Sequence, residues 1–313
     1  MRAALLEQYG EPEAFTIKDI QTPEINPGQV LIANKASSVN PVDVLVRKGK
    51  TKLLTGLMGE HLIGSDFSGT VISSKSDRFK IGDEVFGMNN AVTGYGAYAE
   101  QIVANEDATA LKPANLSFAQ AAVLPLVALT AWQSLVDEGK IGSGDRVLIM
   151  GCTGGVGIPA VQIAHTFHAT ITGTCSGKHI PFAKNLGIHH VVDYHQMDML
   201  GDEKFDLIFD ASGHFTISDM KTNLTDEAMF VSTRGGTDNL TGVAEALLDL
   251  TFKKRMKIVQ VSANHADLER IRAMAETGAL MPHIAATFPL EQLADAHRMQ
   301  EKGGFTGKIA ITM

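Results

Sequence analysis

The feature that most constrains the fold is an apolar run, a cluster of glycines and a second apolar run, VLIMGCTGGVGIPAVQIA (Val147–Ala164). Gly154, Gly155 and Gly157 follow a predicted strand and open a predicted helix. Glycine lets the backbone turn tightly and approach a pyrophosphate, and the helix N-terminus supplies free N–H groups and positive potential. Cys152 stands where the G-x-G-x-x-G pattern has its first glycine, a place that can accept a small side chain. We therefore expect this loop to bind a dinucleotide.

The pattern of apolar residues divides the chain into two parts. The first third is rich in β-compatible runs such as QVLIANKASSV and FSGTVISS, separated by turn sequences. In the second part, short apolar strands alternate with helices, which predicts a parallel sheet covered on both faces. Ser117 is a predicted helix N-cap where the pattern changes, and Pro125 should interrupt that helix. We predict an α/β chain with a β-rich domain, residues 1–116 and 261–313, and a doubly wound domain, residues 117–260.

Composition excludes several classes of protein. The 313 residues suffice for two domains, and the two cysteines, Cys152 and Cys175, are too few for a disulfide framework or a four-cysteine zinc lobe. A formal net charge of −8 argues against a nucleic-acid partner, because that affinity depends on clustered cations. The N-terminus has no signal-peptide pattern, and the longest apolar stretch, AAVLPLVALTAW, is too short to span a bilayer. We expect a cytoplasmic protein with no membrane partner, and a buried Cys152.

The end of the strand after the glycine loop bears on the choice of cofactor. An NAD site has an acidic residue about 20 residues past the fingerprint, where it accepts from the ribose 2′-OH. Here Ser176 stands at that place, within TCSGKH, and no acid is present. Ser176 can donate to a 2′-phosphate, and Lys178 can pair with it as a point charge. The sequence therefore favours NADPH.

Motifs spread along the chain point to one family. They are, in order, SSVNPVDVLVRKG, GSDFSGTV, IGDEVFG, GYGAYAE, LTAW, GCTGGVG, CSGKHIPFAKNLG and GFTGKIAI. Together they resemble the zinc-free quinone oxidoreductase branch of the medium-chain dehydrogenase/reductase superfamily. The resemblance implies a GroES-like catalytic domain built from both ends of the chain, with a Rossmann domain between them. It also implies an NADPH-dependent reductase that is usually a homodimer.

The same resemblance bears on metal binding. Zinc alcohol dehydrogenases have a Cys where this chain has Asn40, a His where it has Ser65, and a second Cys where it has Leu126. Catalytic zinc needs three protein ligands drawn from His, Cys or carboxylate. All three are replaced, so we expect no metal.

Without a metal, the substrate must accept hydride unaided. Quinones and α,β-unsaturated carbonyls do so because the added charge delocalises onto oxygen, while the protein supplies positioning and hydrogen-bond donors for the developing anion. The expected partner is therefore a small-molecule electrophile. Two alternatives stay open: a binding protein that keeps the NADPH fold without turnover, as lens crystallins of this family suggest, and a zinc alcohol dehydrogenase, which the missing ligands disfavour.

The resemblance also assigns residues to each part of the cofactor. Asn40 and Asp43 lie near the nicotinamide, where they position it against the substrate, and Thr130 lies near the nicotinamide ribose. Lys308 is expected to reach the cofactor cleft. The other residues assigned in this way are Gly155 and Val156 for the pyrophosphate; Ser176, Lys178 and Tyr194 for the adenosine phosphate; and Ser212 for the adenine-side ribose. The glycine pattern of the loop adds Gly154 and Gly157 to the cofactor-binding residues.

Some positions depart from the family pattern. Certain bacterial quinone reductases have tyrosines where this chain has Leu45 and Thr51, so the resemblance leaves the electrophile undefined. Arg47 either binds an anionic substrate or pairs with a carboxylate, and Tyr98 is expected in the core. For the homodimer, the run EAMFVSTRGG is expected near the sheet edge, since an exposed strand edge needs cover.

Overall fold

A computed structural model describes residues 1–51, 61–90, 95–234 and 255–313. The chain divides into two compact units. The first unit comprises Met1–Leu126, Ser262–Gly278 and Pro282–Met313, and the second comprises Val127–Val261 and Ala279–Met281.

Strands form the framework of both units. In chain order, the strands of the described residues are β1 (Arg2–Leu6), β2 (Phe15–Asp19), β3 (Gln29–Val39), β4 (His61–Leu62), β5 (Asp66–Ser74), β6 (Glu84–Met88), β7 (Gln101–Asn105), β8 (Thr109–Leu111), β9 (Arg146–Met150), β10 (Thr170–Cys175), β11 (His190–Asp193), β12 (Phe205–Asp210), β13 (Leu224–Ser232), β14 (Met256–Ile258), β15 (Ile284–Pro289) and β16 (Lys308–Thr312).

Helices connect and cover these strands. The described α-helices are α1 (Pro41–Arg47), α2 (Phe118–Ala122), α3 (Pro125–Trp132), α4 (Gly157–Thr166), α5 (Ile180–Asn185), α6 (His265–Glu276) and α7 (Leu293–Lys302). A π-helical segment, Gln133–Glu138, continues α3. Short 3-10 helices occupy Pro12–Ala14, Glu106–Ala108, Gly177–His179, Tyr194–Leu200, Lys221–Asn223 and Leu290–Gln292.

The first unit is built on a mostly antiparallel sheet with the order β15-β16-β3-β5-β6-β8, in which β7 also pairs with β3. A smaller sheet has the order β2-β1-β4. Alternate residues Val30 and Ile32 of β3 pack with Phe67 and Val71 of β5 in a buried apolar cluster, as the two-residue period of a strand requires. Near the C-terminus, β16 runs antiparallel to β3, with Ile309 opposite Val39. This register brings the first residue of β16 beside the end of β3 and the start of α1.

The second unit is a parallel sheet with the order β11-β10-β9-β12-β13-β14. Numbered along the chain, this is the 3-2-1-4-5-6 order of the Rossmann fold, in which ligands bind outside the carboxyl ends of the strands. Leu148 and Met150 of β9 pack with Ile208 of β12 and Phe230 of β13 in a buried cluster. The predicted doubly wound α/β sheet is confirmed, and the glycine loop follows its first strand.

Local predictions at the junction of the two patterns are also confirmed. Ser117 caps α2: its hydroxyl accepts a hydrogen bond from the backbone N–H of Gln120, whose side chain accepts from the N–H of Ser117. Pro125 ends this helix and begins α3. The first unit extends to Leu126. The domain boundaries expected from the sequence, 1–116 with 261–313 and 117–260, stay a prediction.

Two further expectations concern surfaces. The run EAMFVSTRGG contains most of β13, which lies between β12 and β14, so β14 is the last strand on that side among the described residues. Its final glycines, Gly235 and Gly236, lie outside the described residues. In the described part of the chain, no helix combines the length and apolar character that crossing a membrane requires.

Candidate functional site

The glycine loop is held at the carboxyl ends of β9 and β10. The backbone N–H groups of Gly151 and Cys152 both donate to the carbonyl of Thr174, at 3.0 and 2.9 Å. Gly157, the first residue of α4, packs so closely that a Cβ there would lie 2.1 Å from the carbonyl oxygen of Gly151. Only glycine fits this contact, which brings the helix N-terminus against the strand end.

Cys152 fills the space beside this loop. Its side chain is fully buried, as expected, and its Sγ lies 2.8 Å from the place that a Cβ on Gly173 would occupy. A hydrogen bond from the Cys152 thiol to Cys175, together with burial, raises the pKa of Cys152. The residue therefore stays a packed thiol, and the missing first glycine does not disrupt the turn.

Several backbone donors of the loop have no acceptor within the described part of the chain. The N–H of Gly154 donates to Gly151 and that of Ile158 donates to Gly154, but Gly155 and Val156 are among the loop residues whose N–H groups have no such partner. Both precede the first turn of α4, where the helix dipole is positive. These two groups are therefore available to an anionic oxygen.

Asp210, at the end of β12, organises the loop that carries Ser212. It is fully buried and accepts hydrogen bonds from the Ser212 hydroxyl (2.6 Å) and from the backbone N–H groups of Ser212, Gly213 and Phe215. A Cβ on Gly151 would lie 3.4 Å from Ser212 Cβ, so this loop borders the glycine loop. The Ser212 hydroxyl thus points to Asp210, a residue that the sequence analysis missed although it ends a strand just before a Ser-Gly pair.

The residues predicted to hold a 2′-phosphate follow two neighbouring strands. Cys175 of β10 pairs with Asp193 of β11, so Ser176 and Tyr194 come directly after paired residues. Lys178 is exposed, and Tyr194 is 46% exposed. The structure therefore gathers Ser176, Lys178 and Tyr194 at one edge of the second unit.

Asp193 places a carboxylate beside this edge, which the sequence analysis missed. Its Oδ2 lies 2.5 Å from the place that a Cβ on Gly177 would occupy, and its Oδ1 accepts a hydrogen bond from the backbone N–H of His195. The sequence signal that could have identified it is an acidic residue at the end of β11, the strand that follows β10 in the chain. A 2′-phosphate near Ser176 and Lys178 would feel both a cation and this anion.

A second group of predicted residues forms a buried polar network in the first unit. Asn40 precedes α1, and its backbone N–H donates to Asp43 Oδ2 at 2.8 Å. Its side-chain amide Nδ2 donates to Asp66 Oδ2 at 2.8 Å, while its amide oxygen accepts from Lys308 Nζ at 2.5 Å. Lys308 also donates to the carbonyl of Val39 at 2.7 Å. The structure thus brings Asn40, Asp43 and Lys308 together, around an Asp66 that the sequence analysis did not select.

Further donors surround the two carboxylates. Asp43 accepts from the hydroxyls of Tyr98 (3.0 Å) and Ser65 (3.2 Å). Asp66 accepts from the hydroxyl of Ser38 at 2.5 Å and from the backbone N–H of Leu126, the second residue of α3, at 2.8 Å. Tyr98 is fully buried, which confirms its expected place in the core.

Burial dominates the electrostatics of this network. It raises the pKa of Asp43 to about 6, and it raises the pKa of Asp66. Burial also lowers the pKa of Lys308, an effect that the charges of Asp66 and Asp43 oppose. The network therefore couples two buried carboxylates to one buried ammonium group, an arrangement that is rare in protein interiors and clusters at functional sites.

The three positions compared with zinc ligands meet at this network. Asn40 and Leu126 both donate to Asp66, and Ser65 donates to Asp43. Over residues 1–51, 61–90, 95–234 and 255–313, no group of three or more His, Cys, Asp or Glu side chains lies close enough together to hold a metal ion.

Three other residues that the sequence analysis named are not among the hydrogen-bond partners of this network described above. Arg47 is fully buried and pairs with Glu301 at 2.8 Å, so of its two alternatives the structure shows the ion pair. Leu45 is 37% exposed, and Thr130 is buried in α3. That Thr130, Asn40, Asp43 and Lys308 contact a cofactor stays a prediction.

Comparison with known proteins agrees with this architecture. The alcohol dehydrogenase GroES-like domain matches residues 26–114, and the zinc-binding dehydrogenase family matches residues 186–311. The chain is 30% identical to a chloroplastic quinone-oxidoreductase homolog of Spinacia oleracea over 96% of this chain and 95% of that protein. It is 30% identical to a chloroplastic NADPH-dependent alkenal/one oxidoreductase of Arabidopsis thaliana over 99% of this chain and 79% of that one.

A solved structure extends the likeness to three dimensions. The quinone oxidoreductase of Coxiella burnetii superposes with a TM-score of 0.89 at 30% identity, covering 100% of this chain and 99% of that one. A GroES-like unit combined with a Rossmann sheet defines the medium-chain dehydrogenase/reductases. The chain belongs to the quinone oxidoreductase and enone reductase branch of that superfamily.

Proposed function

We propose that this protein is an NADPH-dependent oxidoreductase that transfers hydride to a quinone or an α,β-unsaturated carbonyl without a metal. The observation that carries the proposal is the glycine loop at the end of β9. Gly157 allows α4 to approach the strand, and the N–H groups of Gly155 and Val156 have no acceptor among the described residues. A pyrophosphate supplies the anionic oxygens that such donors bind.

The adenosine end is assigned to the residues after β10 and β11. Ser176 donates to the 2′-phosphate, Lys178 pairs with it, and Tyr194 lies against the same group. The Ser212 loop, held by Asp210, lies under the adenine-side ribose. Asp193 opposes the 2′-phosphate, so we propose that Lys178 supplies the larger contribution and keeps NADPH preferred over NADH.

The reacting end is assigned to the first unit. When bound, NADPH supplies a hydride from C4 of its nicotinamide. Asn40 and Asp43 position the nicotinamide against the substrate. Holding the nicotinamide and the substrate close together in a fixed orientation supplies most of the rate enhancement. The Spinacia and Coxiella relatives are named for quinones and the Arabidopsis relative for alkenals and alkenones, which supports an electrophile of this kind.

We also propose a cytoplasmic homodimer. Both cysteines are free thiols, which suits a reducing compartment. Strand β14 has a partner on one side only among the described strands, and such an edge is a natural place for a second copy to pair. Light scattering at micromolar concentration tests the dimer: a mass of two chains supports it, and a mass of one chain contradicts it.

The activity is tested by NADPH oxidation against a panel of quinones and 2-alkenals, with the matching saturated aldehydes as controls. We expect turnover with at least one electrophile and none with the saturated controls. The variant Gly157→Ala, whose Cβ would strike the Gly151 carbonyl, should lose both binding and turnover. Tight NADPH binding without turnover of any electrophile would instead identify a binding protein.

A further inference from the structure

The buried network contains more charge than a structural role requires. Asp43, Asp66 and Lys308 are each at most 6% exposed. Charged groups in an interior lose hydration, and apolar residues of similar volume often replace a buried ion pair at no loss of stability. A cluster of three ionisable groups at this place is therefore retained at a cost, which points to a functional reason.

The hydrogen bonds show what the cluster acts on. The side-chain amide of Asn40 is held at both ends, because Lys308 donates to its oxygen at 2.5 Å and its nitrogen donates to Asp66 at 2.8 Å. The only other hydrogen bond of that nitrogen among the described residues is a long one, 3.4 Å, to the hydroxyl of Ser38. A 180° rotation of the amide would set its N–H groups against the ammonium and its oxygen against a carboxylate. The pair therefore permits one orientation of Asn40.

Lys308 and Asp66 each make further hydrogen bonds to other residues. Lys308 donates a second hydrogen bond to the carbonyl of Val39, the residue before Asn40. Asp66 accepts from the hydroxyl of Ser38 and from the N–H of Leu126. Thus β16 and β5 supply the two groups that hold the Asn40 amide, and Ser38 and Leu126 in turn hold Asp66.

We propose that Lys308 and Asp66 are positioning residues for hydride transfer, which fix the side-chain amide of Asn40 from both ends. The inference rests on the proposed function, because that function places Asn40 at the nicotinamide end. Neither residue is required to touch the substrate. Their effect should appear in the rate of the chemical step rather than in cofactor affinity, because the groups assigned to the pyrophosphate and the 2′-phosphate belong to other residues.

Three variants test the pair. Lys308→Met removes the donor to Asn40 and leaves Asp66 uncompensated, and Asp66→Asn removes the charge that holds the amide nitrogen. The double variant Lys308→Met/Asp66→Asn removes one charge of each sign and keeps the net charge of the cluster. Each single variant should lower kcat by about 10-fold or more. The dissociation constant for NADPH should change by less than about 2-fold, since the contacts that dominate affinity are untouched.

The double variant separates positioning from stability. It should recover thermal stability relative to the single variants, because no buried charge has lost its opposite. Its kcat should stay low, because Asn40 has lost the Lys308 hydrogen bond. Recovery of kcat together with stability would show that the pair is only structural and would overturn the proposal. The control, Arg78→Met/Asp107→Asn, removes an ion pair of the first unit that lies outside the network and should leave kcat unchanged.

A measurement that does not depend on turnover keeps the two proposals distinguishable. In ¹⁵N-labelled protein, the side-chain amide protons of Asn40, assigned from an Asn40→Ala spectrum, should exchange slowly with solvent. Lys308→Met should speed that exchange by about 10-fold or more, since a hydrogen bond to a charged group is lost. Unchanged exchange would overturn the positioning role even in an active enzyme. Faster exchange in a protein that turns over no electrophile would contradict the proposed function alone.

Discussion

The ammonium of Lys308 donates a 2.5 Å hydrogen bond to the side-chain oxygen of Asn40, although 267 residues separate them in the chain. Strand pairing creates this contact, because β16 runs antiparallel to β3 and Asn40 follows β3 directly. The same network contains Asp43, whose position in α1 is set by its hydrogen bond to the Asn40 backbone. Long-range sheet register thus assembles the buried polar network of the first unit.

The pKa of Asp43 predicts a pH dependence of stability. Burial raises the pKa of this carboxyl to about 6, against its ordinary value of 3.8. The folded chain therefore binds the proton of Asp43 more tightly than the unfolded chain does. The resulting contribution to the free energy of unfolding is fully present below about pH 4 and is lost as the pH rises through about 6. The groups that face it are Asp66, Lys308 and Tyr98.

Urea unfolding at several pH values tests this dependence. Asp43→Asn should flatten the stability profile between about pH 4 and pH 7, with a change on the order of 3 kcal/mol across that window. The exposed Asp77→Asn is the control and should leave the profile as it is in the wild type. If Asp43→Asn keeps the wild-type dependence of the free energy of unfolding on pH, that dependence belongs to another group.

Cofactor choice is predicted to depend on Lys178. A charge-assisted contact contributes roughly 1.5–3 kcal/mol, or about 10- to 150-fold in affinity. Lys178→Ala should therefore raise the dissociation constant for NADPH by about one decade or more and leave that for NADH almost unchanged. Ser176→Asp should invert the preference, because it repels the 2′-phosphate and offers an acceptor to a 2′-OH. Titration by nucleotide fluorescence would contradict this if Lys178→Ala weakened both cofactors equally.

Asp193 should lower the affinity for NADPH, whereas Lys178 should raise it. Its Oδ2 lies close to Gly177, which stands between Ser176 and Lys178 in the chain. Asp193→Asn keeps the acceptor for the His195 N–H and removes the charge, so NADPH should bind about 2- to 5-fold more tightly, as expected for a partly exposed pair. NADH should be unaffected, and Asp198→Asn, an exposed acid in the next segment, should change neither. A gain for both cofactors would show that Asp193 acts on the fold rather than on the phosphate.

Gly157 and Gly154 should respond differently to the same substitution. An alanine Cβ at Gly157 would lie 2.1 Å from the Gly151 carbonyl oxygen, whereas one at Gly154 would lie 3.3 Å from the same atom. Gly157→Ala must move α4 away from β9, so its thermal midpoint should fall well below that of Gly154→Ala. Equal losses in the two variants, measured by calorimetry, would mean that the loop relaxes without cost.

The parts of this chain that sequence could predict are those with local causes. A strand, a glycine turn and a helix are adjacent in sequence, and so are the Ser117 cap and the Pro125 break, and all of these are found. Asp66 is a single acid at the start of a strand, and nothing near it in the sequence indicates that Lys308 lies beside the same amide. Asp193 follows a different strand from Ser176, so its charge matters only once the sheet order is known. Contacts made by strand register carry no local signal.

Direct hydride transfer from NADPH to an activated carbon can be followed with an isotope label. NADPH carrying deuterium on the transferred face of C4, supplied with a 2-alkenal or a 2-alkenone, should give a saturated product with one deuterium at the β-carbon, detected by mass spectrometry. The amount of labelled product should equal the amount of NADPH consumed. Two products are therefore sought: a deuterium-labelled saturated product from an alkenal or alkenone, and a reduced quinone. Consumption of NADPH that yields neither product would contradict direct hydride transfer.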